Sequence, residues 1–205
     1  MKSVSFGTKT YHPSKVVCVG RNYVEHIYEL GNEIPANMVL FNKPNSAITH
    51  ELKYISKDTR FESEICFLVE NNRLAGIGFG LDLTKADIQN HLKSKGLPWE
   101  RSKGFDGSCV FGNFVPLCGN TETLEMKLYL NERLQQHATY ELMIYKPDEI
   151  LDEIQTFMSL EDGDIIMSGT PKGVTNYKTG DSIYAEIYID NNIILKEIFS
   201  ASLDR

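Results

Sequence analysis

Two glutamates one residue apart, in Phe61-Glu62-Ser63-Glu64-Ile65-Cys66-Phe67-Leu68-Val69, are the side chains best placed to do chemistry. The stretch reads as a strand. Successive side chains of a strand alternate faces, so Glu62 and Glu64 point with Cys66 and Leu68, while Ile65, Phe67 and Val69 point the other way. Both faces are apolar beyond Glu64. Stripping water from an unpaired carboxylate costs several kcal/mol or drives it to its neutral form, so a cation is expected beside the pair. A third acid, Asp82, follows Ala75-Gly76-Ile77-Gly78-Phe79-Gly80-Leu81, which reads as a second strand ending where a helix begins. Three hard oxygen ligands suit a divalent cation of the magnesium or manganese type. The plainer alternative is a solvated E-x-E on a sheet edge, which needs no ion. A second pair, His26 and Glu29, lies three residues apart on a short helix and shares a face of it. The carboxylate can hold the imidazole in one tautomer for proton transfer, or the two can be an ordinary surface pair.

Composition narrows what such a site would serve. The chain has 205 residues, 41% of them hydrophobic, enough for one domain with a real core, and we expect a single catalytic domain over 1–205. A formal net charge of −7 argues against phosphate-backbone binding, and no basic run contradicts it, so nucleic acid is not an expected partner. The longest wholly apolar runs are about five residues, against the roughly 20 needed to span a bilayer. The opening Met1-Lys2-Ser3-Val4-Ser5-Phe6 does not read as the start of a signal peptide, so none is expected. These features predict a cytoplasmic protein without a membrane partner. Cys18, Cys66, Cys109 and Cys118 show neither C-x-x-C nor zinc spacing and read as reduced core residues.

The elements that must position the acids follow from the pattern. Lys15 to Val19 is a strand, and Gly20-Arg21-Asn22-Tyr23 turns out of it into the Val24–Leu30 helix, stopped by Gly31-Asn32. Met38 to Phe41 is a strand running into the loop Asn42-Lys43-Pro44-Asn45, and 46–60 is polar and irregular. Asn71-Asn72 is a turn signal, so the strands around it should pair antiparallel and could return Asp82 towards Glu62 and Glu64. Gly76-x-Gly78-x-Gly80 lacks the last glycine of the dinucleotide fingerprint. Thr84 and Asp87 resemble a capping box opening a helix through about Lys95, with Gln89 on it. Residues 101–108 are too glycine-rich to be regular, and Lys103 there could be an ordinary exposed lysine. Leu124–Leu130 and Arg133–Thr139 form a hairpin, as do Ser182–Ile189 and Ile193–Phe199. Pro147–Leu160 is the best helix, with Ile150, Leu151, Ile154, Phe157 and Met158 on one stripe.

Several stretches together resemble the fumarylacetoacetate hydrolase family. Gly20-Arg21-Asn22-Tyr23-Val24-Glu25-His26-Ile27-Tyr28-Glu29 is similar to its G-x-N-Y-x-x-H-x-x-E segment, and Glu62-Ser63-Glu64 to its E-x-E. Leu81-Asp82-Leu83-Thr84, Gln89, Lys103-Gly104-Phe105-Asp106-Gly107-Ser108 and Gly163 through Gly173 complete a set that runs in order over nearly the whole chain. The short length resembles the acylpyruvate hydrolases of that family. The resemblance implies an α+β, β-rich fold, a mixed β-sheet roll with a few short helices, and usually a homodimer. It implies Mg2+ or Mn2+ held by Glu62, Glu64 and Asp82, a catalytic His26–Glu29 dyad on a mobile lid, and Lys103 beside the substrate, with Arg21, Gln89 and Thr170 as substrate contacts. One departure matters: where the family commonly carries an arginine two residues after the position of Thr84, the chain has Ala86, with Lys85 before it.

The implied reaction starts from a small-molecule keto acid. An α-keto acid would chelate the ion, which would stabilise an enolate as the C3–C4 bond of a 3-acylpyruvate breaks. His26, oriented by Glu29, would activate the attacking water, Lys103 and Gln89 would steady the oxyanion, and Thr170 would contact the carboxylate, unless it serves only a β-turn. The expected products are pyruvate and a carboxylic acid. Oxaloacetate decarboxylation or hydroxydienedioate isomerisation would use the same enolate, and a non-catalytic scaffold with a structural metal site is the alternative from another class.

Overall fold

The computed structural model describes residues 1–29 and 35–203. The expected stop of the first helix at Gly31-Asn32 lies outside the described residues. Two long antiparallel strands, Thr59–Glu70 and Arg73–Lys85, form the centre of a ten-stranded mixed sheet. Asn71 and Asn72, both with positive φ (54° and 58°), make the tight turn between them. The register sets Glu62 opposite Asp82 and Glu64 opposite Gly80; a one-residue shift at Leu68/Val69 is part of this, because the register of the turn continued without it would set Glu62 opposite Leu81 and turn Asp82 to the other face.

On one side of this hairpin lie Cys109–Pro116 and then Val4–Phe6 and Lys9–Tyr11; on the other lie Ile165–Met167, Lys15–Gly20 and Val39–Pro44. The sheet is mixed because Ile165–Met167 runs parallel to Lys15–Gly20 but antiparallel to Thr59–Glu70. The glycines of the second long strand serve packing: a Cβ on Gly78 would lie 2.7 Å from the Phe114 ring, and one on Gly80 would lie 2.7 Å from Cys66 Sγ. A second, four-stranded antiparallel sheet consists of Glu125–Leu130, Arg133–Thr139, Ser182–Ile189 and Asn192–Ser200. Both hairpins expected from the sequence are present.

Side-chain alternation divides the interior in two. Phe61, Ile65, Phe67 and Val69 enter the larger core, shared with the four-stranded sheet and the Pro147–Gln155 helix. Cys66 and Leu68 enter the smaller one with Cys18, Phe111 and Phe114. The fold is the strand-rich mixed roll with short helices that the resemblance implied. No helix among the described residues is long and apolar enough to cross a membrane.

Five local expectations are corrected. The strand expected to end at Phe41 continues through Pro44, because Lys43 pairs with Val16 in the ladder and is fully buried. Thr84 is not a helix cap: it remains in the strand with its hydroxyl between Glu62 and Lys103, and the helix starts at Ala86. The segment expected to be irregular contains one helical turn, Glu100–Lys103. The Pro147 helix ends at Gln155, where the Thr156 hydroxyl caps the Glu153 carbonyl at 2.6 Å, and Phe157 is left exposed. All four cysteines are free; three are buried, but Cys118 is exposed.

Candidate metal centre and its pocket

One carboxylate oxygen from each of Glu62, Glu64 and Asp82 lies within 4.8 Å of the other two. Oxygens about 2.1 Å from one octahedral ion stand roughly 3 to 4.2 Å apart, so small carboxylate rotations bring this set onto a common centre. Glu64 and Asp82 are buried, and Glu62 is nearly so. Among the described residues this is the one group of three acids, histidines or cysteines so arranged.

Two lysines partly neutralise the trio. Lys103, far from an ordinary surface lysine, is buried and donates to Asp82 Oδ2 at 2.7 Å, Glu62 Oε2 at 2.8 Å and the Thr84 hydroxyl at 2.6 Å. Burial works against its charge, but Asp82 and then Glu62 outweigh it and hold the ammonium above the usual lysine range. Burial likewise pushes the Glu62 carboxyl up, yet Lys103, His26 and the hydrogen bonds from Lys103 and Thr84 bring it down to about 2. Glu64 goes the other way. Burial, Asp82 and Glu62 push its carboxyl well above the usual range, and the Gly169 N–H, 2.6 Å from Oε2, offsets only part of this.

Lys43 is the second lysine and was not anticipated from the sequence. Its ammonium stands 2.7 Å from Asp82 Oδ1, yet that oxygen receives no aligned hydrogen, because the ammonium's protons are directed elsewhere. They go to the Lys103 carbonyl at 2.5 Å, the Ser108 carbonyl at 2.9 Å and the Ser108 hydroxyl at 3.1 Å. A buried Asp82 oxygen without an aligned hydrogen-bond donor, beside a Glu64 carboxyl that burial and its acidic neighbours push up, is the arrangement a shared divalent cation would relieve. The donor set fits a hard ion of the Mg2+ or Mn2+ type.

The other expected residues converge on the same pocket. His26 lies on the six-residue helix Val24–Glu29, with Nδ1 3.2 Å from Glu29 Oε2. Glu29 in turn accepts the Gly173 N–H at 3.0 Å. Arg21 lines the pocket from a left-handed backbone conformation (φ 61°), which costs a non-glycine residue about 1 kcal/mol. Gln89 and Thr170 complete the wall with His26 and Lys103.

Two buried amides hold these pieces in place and were also missed. Asn22 donates to the Ser168 and Tyr145 carbonyls at 2.8 and 3.0 Å and accepts the Tyr145 N–H at 2.7 Å, pinning the start of the His26 helix to the end of the Ile165–Met167 strand. Gln136 donates to the Thr170 hydroxyl at 2.8 Å and accepts the Ser63 N–H at 3.0 Å, so one side chain ties the glutamate strand to Thr170. A glutamine at an inward-facing position of an alternating strand was the available signal.

The family model described as fumarylacetoacetate (FAA) hydrolase C-terminal matches residues 15–197. The chain belongs to the fumarylacetoacetate hydrolase family. Among curated relatives it is 35% identical over 192 residues to the oxaloacetate tautomerase YcgM of Escherichia coli, covering 84% of this chain and 88% of that protein. It is 36% identical over 194 residues to the mitochondrial oxaloacetate tautomerase FAHD1 of Bos taurus, with 84% and 86% covered. Among solved structures, fumarylpyruvate hydrolase from Pseudomonas aeruginosa in complex with Mn2+ and pyruvate superposes with a TM-score of 0.88 at 25% identity, over 99% of this chain and 96% of that one. Known members of the fumarylacetoacetate hydrolase family are thus enzymes, and one of this shape holds a divalent metal. At the position where this chain departs from the common family pattern, Ala86 is buried and Lys85 lies over the Phe105 ring, 4.2 Å from its centre, rather than in the pocket. The pocket wall carries Lys93 instead, next to Trp99.

Proposed function

We propose that this chain is a divalent-metal enzyme that passes 2-oxo acids through their enolates, and that its reaction is the keto–enol interconversion of oxaloacetate. The observation that carries this reading is the buried trio Glu62, Glu64 and Asp82, set within 4.8 Å in a pocket that also holds His26. The choice of oxaloacetate draws on relatives at 33–36% identity that are oxaloacetate tautomerases.

When bound by the three carboxylates, Mg2+ or Mn2+ would supply a Lewis acid that favours the enolate. Everything else falls to side chains. Glu29 holds His26 at Nδ1, which leaves Nε2 to take the C3 proton of the keto form while the C2 oxygen takes one from solvent to complete the enol; in reverse the oxygen gives its proton to solvent and His26 returns one to C3. The Gly173 N–H fixes Glu29 in turn. Gln89 supplies a hydrogen-bond donor to the oxygen on which charge develops, and Lys103, whose three donors go to Glu62, Asp82 and Thr84, lends its positive charge beside it. Thr170, oriented by Gln136, receives the 1-carboxylate. The interconversion needs one proton relay and no attacking water.

A second reading, hydrolysis of a 3-acylpyruvate to pyruvate and a carboxylic acid, is favoured by the same His26–Glu29 contact, which could equally activate a water, and by the likeness to fumarylpyruvate hydrolase. Decay of the enol absorbance of oxaloacetate, followed with Mg2+ and with a chelator, tests the first reading. We expect metal-dependent acceleration that falls by about 100-fold or more in His26→Ala. Turnover of acetylpyruvate without any acceleration of enol decay would replace this reading with the second, and turnover of neither would leave a non-catalytic member of the family.

A further inference from the structure

We infer that Lys93 forms a subsite for a second anionic group on the substrate, so that the chain prefers 2-oxo dicarboxylates to 2-oxo monocarboxylates. This rests on the 2-oxo-acid reading above and deepens it.

The inference starts from an unmatched cation. Lys93 lines the pocket of the acid trio, but its ammonium makes no hydrogen bond or ion pair with any described residue and lies over the Trp99 ring, 5.0 Å from the centre. Trp99 is itself backed by Phe41, with ring centres 5.8 Å apart, so the platform is packed in place. Burial and then the neighbouring Arg21 charge both work against the Lys93 ammonium, while Glu62 favours it. A half-buried ammonium facing another cation, with an aromatic face and no oxygen to receive its protons, is stabilised when an anion enters.

Helix geometry explains why this residue faces inward. Lys93 follows Ala86 by seven residues on the Ala86–Ser94 helix, about two turns, so both positions fall on one face. The buried alanine leaves that face without a long side chain near the helix start, and the long lysine two turns on reaches the pocket. Lys85, whose side chain is committed to Phe105, does not compete for this role.

Charge balance points the same way. With a divalent ion held, the three carboxylates, Lys43 and Lys103 leave a single positive charge, to which Lys93 adds a second. A monoanionic 2-oxo acid meets one of these charges, whereas a dianion can place one carboxylate at the metal and Thr170 and the other at Lys93. Because an ammonium acts as a compact charge with three rotatable donors, it accommodates a carboxylate without fixing its orientation, and arginine should substitute for it.

Equilibrium binding tests this without relying on turnover. Oxaloacetate and 2-oxobutyrate, which differ by a carboxylate in place of a methyl group, are titrated calorimetrically into the full chain with Mg2+ present. The parent should bind oxaloacetate at least tenfold more tightly. Lys93→Met should erase most of that preference while binding 2-oxobutyrate like the parent, which also controls for folding, and Lys93→Arg should keep it. Equal affinity of the parent for the two acids, or a preference that survives in Lys93→Met, would overturn the subsite while leaving the 2-oxo-acid reading intact. Binding of neither acid would overturn both.

Discussion

Replacing Lys43 by methionine removes one charge from a fully buried position while nearly keeping the length of the side chain. The loss can be apportioned. The Lys103 carbonyl keeps the Ser108 hydroxyl at 2.6 Å, and the Ser108 carbonyl keeps the Leu83 N–H at 2.8 Å, so the hydrogen-bond component is small, about 1 kcal/mol. Asp82 dominates: its Oδ1 loses the ammonium 2.7 Å away and the carboxylate is left with Lys103 alone. Removing one partner of a buried ion pair costs about 3–5 kcal/mol, a large part of the ~5–15 kcal/mol that holds a typical domain together. Urea unfolding in the presence of a chelator should therefore show Lys43→Met destabilised by about 3–5 kcal/mol. A double-mutant cycle with Asp82→Asn isolates the pair and should give a coupling of about 1.5 kcal/mol or more. A loss below about 1 kcal/mol, or a cycle that closes without coupling, would mean that Lys43 does not hold Asp82.

Glu64→Gln should leave metal-free stability unchanged or raise it by up to about 1 kcal/mol, since it removes an acid crowded by Glu62 and Asp82, yet it should abolish the stabilisation by Mg2+. At a metal concentration 100 times Kd that stabilisation is about 2.7 kcal/mol in the parent, read as a shift in Tm, and an equal shift in both proteins would remove Glu64 from the ligand set. Asp164, which anchors Ser14, Lys15 and the Glu161 N–H, has a carboxyl that burial pushes up but that Lys15 and these N–H groups hold below its ordinary value of 3.8. A lowered folded value means stability present above that ordinary value and lost as pH falls through the folded one. Asp164→Asn should accordingly cost about 1–3 kcal/mol at pH 7, with the gap closing below about pH 4, whereas a gap constant with pH in urea titrations would contradict the assignment.

What could be read from the sequence depended on how local the determinant was. Glu62, Glu64 and Asp82 were legible as a group because alternation and one Asn71-Asn72 turn bring them close within a single hairpin, but the one-residue register shift at Leu68/Val69 that sets Asp82 opposite Glu62 was not read from the sequence. Lys43 was not legible. Its acceptors come from Lys103 and Ser108 and its ion-pair partner is Asp82, all more than 35 positions along, and Asn42-Lys43-Pro44 has the composition of a loop. Thr84 misled for a related reason: a threonine three before an acid is a local capping signal, but a buried ammonium and a carboxylate compete more strongly for its hydroxyl. Lys93 sits among Asn90, His91, Ser94 and Lys95, a run that looks solvated until the turn after Gly96 folds Trp99 against it.

The acid trio is an electrostatic conflict that the fold sustains at its most redundantly supported point. Two ammonium groups face three carboxylates, and the conflict is divided unevenly: Glu62, bonded to Lys103, is held ionised, while Glu64, bonded to a single amide, is pushed towards its neutral form. A divalent ion would restore the missing charge and let Glu64 ionise, so the same residue that limits metal-free stability would limit metal affinity. The hairpin can bear this because its next residues are committed on both faces, Ile65 and Phe67 to one core and Cys66 and Leu68 to the other. Were the three acids at the end of an edge strand, the backbone could fray to release them into water. Paired across twelve register positions and flanked by strands on both sides, they have no such escape, and the strain is kept at the site instead of being relieved by local unfolding.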